Sequence, residues 1–389
     1  MTTQYDKLST GLNDFSSRLS LPLTQLPFEG DLGSFFAKSG FLYCSVINEG
    51  FVVYDERLLG KVFLEGSLLG IIGELAGNVL IHTDYGEYRL YNPQGRSLAT
   101  VLCETPFTYG YVNQAIDSSS LFLMGIEKFD SNSLFARMNA KTSLYKYTKN
   151  SFELDWVREL ETTSIGQVIL DKDNDVYFLI DNEKIFTCHG LQTEELNWKA
   201  DISDVIRPSC ILEVHPALVG DLIVLIYKGL TLAISTKDGS IVWQREGATA
   251  SWGLISTDHK VYQLETSLSD STRSIITVDA ISGELLSSYP LFVKDGSGVC
   301  IDLAFHNPLH WAITSTHIFI GWSHGLLTAI NPDTGEIEWH ADLGGENQDP
   351  IVSDIVISNN RLYCRTTSSG IENRVSKSWV FEGEGGFGS

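Results

Sequence analysis

An all-β fold, assembled from repeats of one four-stranded antiparallel unit, is what this sequence predicts, and three observations carry the prediction. The first is internal repetition. LIVLIYKGLTLAISTKDGSIVWQ, HIFIGWSHGLLTAINPDTGEIEWH and DVYFLIDNEKIFTCHGLQTEELNWK share one pattern: apolar run, polar or Gly break, second apolar run, tight turn, third run carrying Trp. The second is a period. Gly60, Gly95, Gly239, Gly283 and Gly335 mark the register, and the 275 residues from first to last, over six intervals, give about 46 per repeat. The third is the make-up of the runs. They hold five to seven residues rich in Val, Ile, Tyr and Thr, and Asp-Gly or Thr-Gly pairs bound them, which is strand and hairpin chemistry.

Taken in chain order, residues 5–19 have the one helical periodicity, a short amphipathic helix. LPLTQLPF at 21–28 reads as a lone strand. FLYCSVINEGFVVYDERLLGKVF and NVLIHTDYGEYRLYNPQGRSLATV are looser copies, and LFLMGIEKFD with TSLYKYTKNSFELDWV is a copy split by an insertion. The three sharp copies follow, interleaved with KVYQLETSLSDSTRSIITVDAISGELLSSY, which has a longer first break and no Trp. RLYCRTTSS with KSWVFEG is a truncated last copy. One further apolar run, such as SIGQVIL, SWGLIST or DIVIS, precedes each copy and brings the count to four strands. Four antiparallel strands per repeat predict a single β-propeller of eight blades, with seven as the alternative if a weak terminal copy is not a separate blade. The expected organisation is a segment 1–30 with the short helix and a ring-closing strand, a propeller over 31–382, and a flexible tail 383–389. Closure is expected because an unpaired blade edge templates aggregation.

AINPDTGEIEW at 329–339, AISTKDGSIVW at 233–243 and VDAISGELL at 278–286 resemble the quinoprotein (PQQ-like) propeller repeat. For the dehydrogenases of that family the resemblance implies a periplasmic signal, an adjacent-cysteine disulfide ring and acidic and Asn calcium ligands. Here no two cysteines are adjacent, and MTTQYDKLSTGLNDFSS lacks the basic start and apolar run of a secretory signal. The expectation is therefore the non-enzymatic, cytoplasmic branch, with no quinone and no metal cofactor. The six scattered cysteines, without a C-x-x-C pair, read as reduced thiols.

Charge narrows the partners. Against 49 acidic residues stand 27 basic ones, a net −22, which repels nucleic acid and anionic membrane surfaces and favours a basic protein. No apolar window reaches the roughly 20 clean residues of a membrane span. P-loop, H-E-x-x-H, G-x-S-x-G and Rossmann patterns are missing. Trp156, Trp198, Trp243 and Trp339 recur at one position of the repeat, which predicts wedges between blades rather than a ligand cage.

From 295 to 360 the chain has no Lys or Arg but nine acidic residues and five of its nine histidines. Turns between first and second strands and between third and fourth strands share one face of a propeller. They are short here (STDHK, SNN, TKDG, PDTG), whereas the long segments 128–143, 201–215, 268–273, 293–310 and 344–350 belong to the opposite face. Gathered insertions build binding surfaces. The predicted partner site is therefore Asp295, Asp302, His306, His310, Trp322, His324, Glu346 and Asp349, with Trp322 as its aromatic anchor. The expected function is a monomeric, non-catalytic adaptor or an immunity-type inhibitor of a basic toxin. The alternative is a propeller enzyme or lectin acting in the central channel.

Overall fold

Strand follows strand throughout the computed structural model. It describes the strands named below together with residues 55, 92, 94–96, 153, 174–175, 191, 193, 195, 202–205, 220–221, 236–240, 259, 280–284, 291, 314, 316–317, 323–325, 331–336 and 343. The expected helix at 5–19 and the tail 383–389 lie outside the described residues.

Eight four-stranded antiparallel sheets and one two-stranded sheet are present among the described residues. Leu23–Gln25 is β1. The first sheet is Leu32–Lys38, Phe41–Val46, Gly50–Tyr54 and Gly60–Leu64 (β2 to β5). The second is Leu68–Leu75, Asn78–Thr83, Glu87–Tyr91 and Ser97–Leu102 (β6 to β9). The third is Gln114–Ile116, Ser120–Ile126, Thr142–Thr148 and Leu154–Leu160 (β10 to β13). Ile169–Asp171, Val176–Ile180, Ile185–Gly190 and Leu196–Asp201 (β14 to β17) form the fourth. Ala217–Val219, Leu222–Tyr227, Leu230–Ser235 and Ile241–Glu246 (β18 to β21) form the fifth. Ile255–Thr257, Lys260–Thr266, Arg273–Asp279 and Leu285–Pro290 (β22 to β25) form the sixth. A small hairpin, Phe292–Lys294 with Cys300–Asp302 (β26, β27), then precedes the seventh sheet, Pro308–Ile313, Ile318–Trp322, Leu326–Ile330 and Ile337–Asp342 (β28 to β31). The eighth is Pro350–Ser358, Arg361–Ser368 and Ser376–Glu382 (β32 to β34), and β1 supplies its fourth strand, Leu23 opposite Phe381 and Gln25 opposite Trp379.

Leading strands of neighbouring sheets touch in series: β14 with β18, β18 with β22, β22 with β28, β28 with β32, β32 with β2 and β2 with β6. Leading edges therefore converge and fourth strands lie outward. The apolar core is divided among the gaps between sheets. Phe178, Phe186 and Ile180 of the fourth sheet pack on Ile223, Leu225 and Ile234 of the fifth. Leu42, Cys44 and Tyr54 of the first pack on Tyr363 and Val380 of the eighth, so the two ends of the chain share one core. Alternating side chains of inner strands such as β29 and β30 thus face opposite gaps and both faces are covered, whereas fourth strands such as β17 and β25 stay largely exposed.

Aromatic residues on the fourth strands fasten one sheet to the next. Trp198 donates its indole N–H to Thr236 O at 2.9 Å, and Trp243 donates to Ala280 O at 2.8 Å, each in the following sheet. Each ring lies flat on a turn glycine, Gly239 and Gly283, whose left-handed φ of +73° and +75° and missing Cβ both suit the contact. In the sixth sheet Tyr289, two residues further along its strand than the tryptophans, covers Gly335 and donates its hydroxyl to Asp333 O at 2.7 Å. Trp339 meets Phe381 edge-on at 5.0 Å. The wedge reading is thereby seen directly for Trp198, Trp243 and Trp339.

The residue before the docking position forms a β-bulge in six fourth strands, at Leu98, Asp155, Asn197, Val242, Leu286 and Glu338. A bulge twists an exposed edge and re-aims one side chain outward.

Candidate functional site

Hydrogen bonds show which connections share a side of the molecule. Leu191 N donates to Asp175 O, Thr236 N to Asp221 O and Ala280 N to His259 O, each joining a third-to-fourth turn to the first-to-second turn of the same sheet. In the seventh sheet His317 Nε2 meets Glu338 Oε2 at 2.8 Å, and Asn331 donates to the other carboxylate oxygen at 2.7 Å. Those two contacts hold the Glu338 carboxyl below the usual range, the Asn331 bond being the larger cause. This is the turn side. On the other side, Leu343 N donates to Gly325 O and Leu291 N to Arg273 O, tying the exit of a fourth strand to a second-to-third link. The 293–310 and 344–350 connections belong to this loop side, with the β26–β27 hairpin inside the first of them.

Of the eight sequence-predicted residues, Asp295, His306, Glu346 and Asp349 lie outside the described residues. Asp302 closes β27 opposite Phe292. His310 is exposed on the leading strand β28 opposite Gly321, and His324 sits in the short 3-10 turn Ser323–Gly325 between β29 and β30. By connection type these three backbone positions fall on the loop side.

Trp322 requires a correction. It ends β29 as expected, but it is 0% exposed, and Tyr262, Leu264 and Leu326 surround it in the core between the sixth and seventh sheets. Its indole N–H donates to Thr328 Oγ1 at 2.9 Å. A tryptophan with its apolar area covered and its one donor satisfied cannot anchor a partner without opening the sheet. Position at a strand end did not reveal side-chain direction, because strand parity turned this residue into the gap. The cation-free stretch is divided as well: Asp333, Glu336 and Glu338 lie at the turn side, and His340 is buried on β31 with its pKa pushed down to about 4 by desolvation.

Two partly buried polar clusters escaped the sequence reading. Between the fifth and sixth sheets Thr231 donates to Gln263 Oε1 at 2.6 Å, and Gln263 Nε2 and Arg245 Nε both donate to Glu265 Oε1, at 3.0 and 3.4 Å. Between the third and fourth, Arg158 Nη1 reaches Tyr177 OH at 3.0 Å and His189 Nδ1 at 2.9 Å. His189 therefore accepts at Nδ1 and carries its proton on Nε2, facing Thr187 Oγ1 at 3.1 Å. A shared spacing, Trp156-Val157-Arg158 and Trp243-Gln244-Arg245, was the signal that could have found both. Every partner in the two clusters belongs to the walls between sheets, so they act as polar clamps.

Among the described residues no group of three or more His, Cys, Asp or Glu is placed to hold a metal ion. Cys44, Cys188 and Cys364 are free and buried, and burial raises the Cys188 thiol pKa. No helix among the described residues is long and apolar enough to cross a membrane.

No family model and no curated protein matches the chain. Solved structures do match in shape. The C-terminal WD40 domain of Sif2 superposes with a TM-score of 0.64 at 12% identity, over 92% of this chain and 97% of that one. Quinohemoprotein alcohol dehydrogenase from Comamonas testosteroni gives 0.63 at 9% identity, over 94% of this chain and 76% of that one. The computationally designed Ika8 protein gives 0.62 at 10% identity, over 91% and 98%. Identities this low speak to fold alone. Together with the repeated antiparallel sheets, they establish that the chain has a β-propeller fold.

Proposed function

We propose that the chain is a non-catalytic, cytoplasmic scaffold, a closed ring of eight blades that binds a basic protein partner through its acidic loop side. An inhibitor or immunity protein that neutralises a toxin is the concrete form of the reading. The observation that carries it is topological. The long connections and the inserted β26–β27 hairpin all belong to second-to-third or sheet-to-sheet links, while the turn side is made of short hydrogen-bonded turns. The ring count rests on eight four-stranded sheets, on the contact of β32 with β2, and on the core shared by the first and eighth sheets. The net charge of −22 supports a cationic partner, since electrostatic steering raises association rates by roughly 10–1000-fold.

The test is capture from native lysate followed by rate measurements on each recovered partner. Glu346→Lys with Asp349→Lys reverses charge in a loop-side connection. Glu284→Lys with Glu336→Lys does the same in turns of the other side. Slower association for the first pair alone supports the reading. Equal rates for both pairs and the parent chain would place the partner elsewhere on the ring.

A further inference from the structure

The loop side and the interior leave one feature of the molecule unused, the outer rim over the fifth and sixth sheets. Ile281, Leu285 and Leu286 are 55%, 46% and 51% exposed, and Ile241 and Val242 of the preceding sheet are exposed beside them. The five form one patch, because Trp243, the residue after Val242, lies on Gly283 and bonds to Ala280 O. Exposed aliphatics gathered like this mark an interaction surface. At the centre of the patch runs β25, with sequence LLSSYP, which pairs with β24 on one edge only.

Edge strands are ordinarily blunted by charge. The fourth strands β13, β17, β21 and β31 follow that rule with Asp155, Lys199, Arg245 and Glu338 among others. β25 has no charged residue; its bulge at Leu286 and its Pro290 lie toward the two ends and leave Ser287, Ser288 and Tyr289 between them, and its neighbourhood is unusual for this chain. Residues 228–290 hold five basic and seven acidic residues, a net −2, whereas 295–360 hold none and nine, a net −9. A twofold contact places each surface patch against its own copy, so in a chain of net −22 such a contact is least opposed where local charge nearly cancels. A basic partner gains nothing at this neutral rim.

We infer that β25 is a self-association edge, at which two copies of the chain pair antiparallel about a twofold axis with Leu285, Leu286 and Ile281 covering one another. This surface is separate from the loop side, and the two respond oppositely to salt. Screening weakens the binding of a cationic partner but strengthens association between two copies that carry the same charge.

Sedimentation velocity and light scattering of the full chain across concentration and NaCl provide the test. The expected result is a monomer–dimer equilibrium whose dimer fraction rises with both variables. Leu286→Lys and, independently, Ser288→Lys should shift the chain to monomer at every concentration. Leu98→Lys should leave the dimer fraction as it was; it lies on β9, a fourth strand that like β25 and the three-residue β1 has no charge, and which exposes a single large aliphatic among its described residues. All three sites are exposed, and unchanged circular dichroism would confirm folding. A chain that stays monomeric at high concentration and high salt would overturn the inference, as would a dimer insensitive to both β25 substitutions. Neither outcome bears on the partner reading, which the loop-side charge reversals test separately.

Discussion

Gly283→Ala should reveal how much the contact between an aromatic ring and a turn glycine contributes to holding adjacent blades together. Two terms add. The residue has φ +75°, where an L side chain costs roughly 1–2 kcal/mol, partly offset by the lower entropy of the unfolded alanine chain, for a net of about 1 kcal/mol. The new methyl would also stand 2.7, 2.8 and 2.9 Å from Cδ2, Cγ and Cε3 of Trp243. Carbon atoms prefer ~3.5–4.0 Å, so the ring must retreat by about 1 Å. Trp243 is 9% exposed and bonded to Ala280 O, and its retreat loses a hydrogen bond of about 1 kcal/mol with some 2 kcal/mol of burial. The expected loss is about 4 kcal/mol.

Gly220→Ala is the matched control, since its φ is +56° and no atom lies within 4 Å of the added methyl. It should cost about 1 kcal/mol. With ~2.1 cal/mol/K of unfolding entropy per residue over 389 residues, 1 kcal/mol lowers the melting temperature by about 1 °C. Calorimetry should then separate the variants, about 5 °C down against about 1 °C. Added to Trp243→Ala, the Gly283→Ala change should cost no more than the control, because the ring it strikes is gone. Equal shifts for Gly283→Ala and Gly220→Ala would refute the docking argument.

Three further outcomes follow from the same geometry. His340, buried with a pKa near 4 against about 6.5 in the unfolded chain, binds a proton more readily when unfolded; its contribution is complete above about pH 6.5 and lost as pH falls toward 4. The loss totals ~3 kcal/mol, and His340→Leu should flatten that part of the stability–pH curve measured by urea titration. Trp322→Ala should lower stability by roughly 3–5 kcal/mol, because it empties a fully covered core position; a folded variant with parental urea midpoint would contradict the burial. Removing residues 1–26 strips β1 from β34 and should yield concentration-dependent aggregation by light scattering, with unchanged solubility and melting counting against the pairing.

Much of the architecture was legible because repetition and turn chemistry are both local. Gly95, Gly239, Gly283 and Gly335 have φ between +72° and +76°, so four of the five glycines that marked the register do so through backbone conformation. Gly60 instead opens β5, a position that repetition alone could not distinguish from a turn. Asp279 and Asn331, within VDAISGELL and AINPDTGEIEW, shape their turns through their side chains. Each side chain accepts from the two backbone N–H groups that follow in its turn, and those bonds, with Ser282 first, lower the Asp279 pKa. Side-chain direction at strand ends was not legible. Trp322 faces the core because it continues the alternation of Ile318 and Ile320 on β29, all three packing into one cluster. Tyr289 was missed for a related reason: the bulge at Leu286 leaves Ser287 in the usual docking register, opposite Thr277, and the aromatic follows two residues later.

These docking contacts also explain why the molecule has two unlike sides. Each third-to-fourth turn of the fifth, sixth and seventh sheets is held twice, by the backbone or side chains of its own sheet and by an aromatic residue of the sheet before it. Lengthening such a turn would remove the glycine from under its ring and open a gap between blades. The links on the loop side take part in no contact of this kind among the described residues. They can grow, acquire the 292–302 hairpin and change charge without loosening a blade junction. The contacts that fasten one sheet to the next are thus concentrated on the turn side. That division lets a propeller change its loop-side surface without disturbing the junctions between sheets, and it is the physical basis for proposing that a partner binds there.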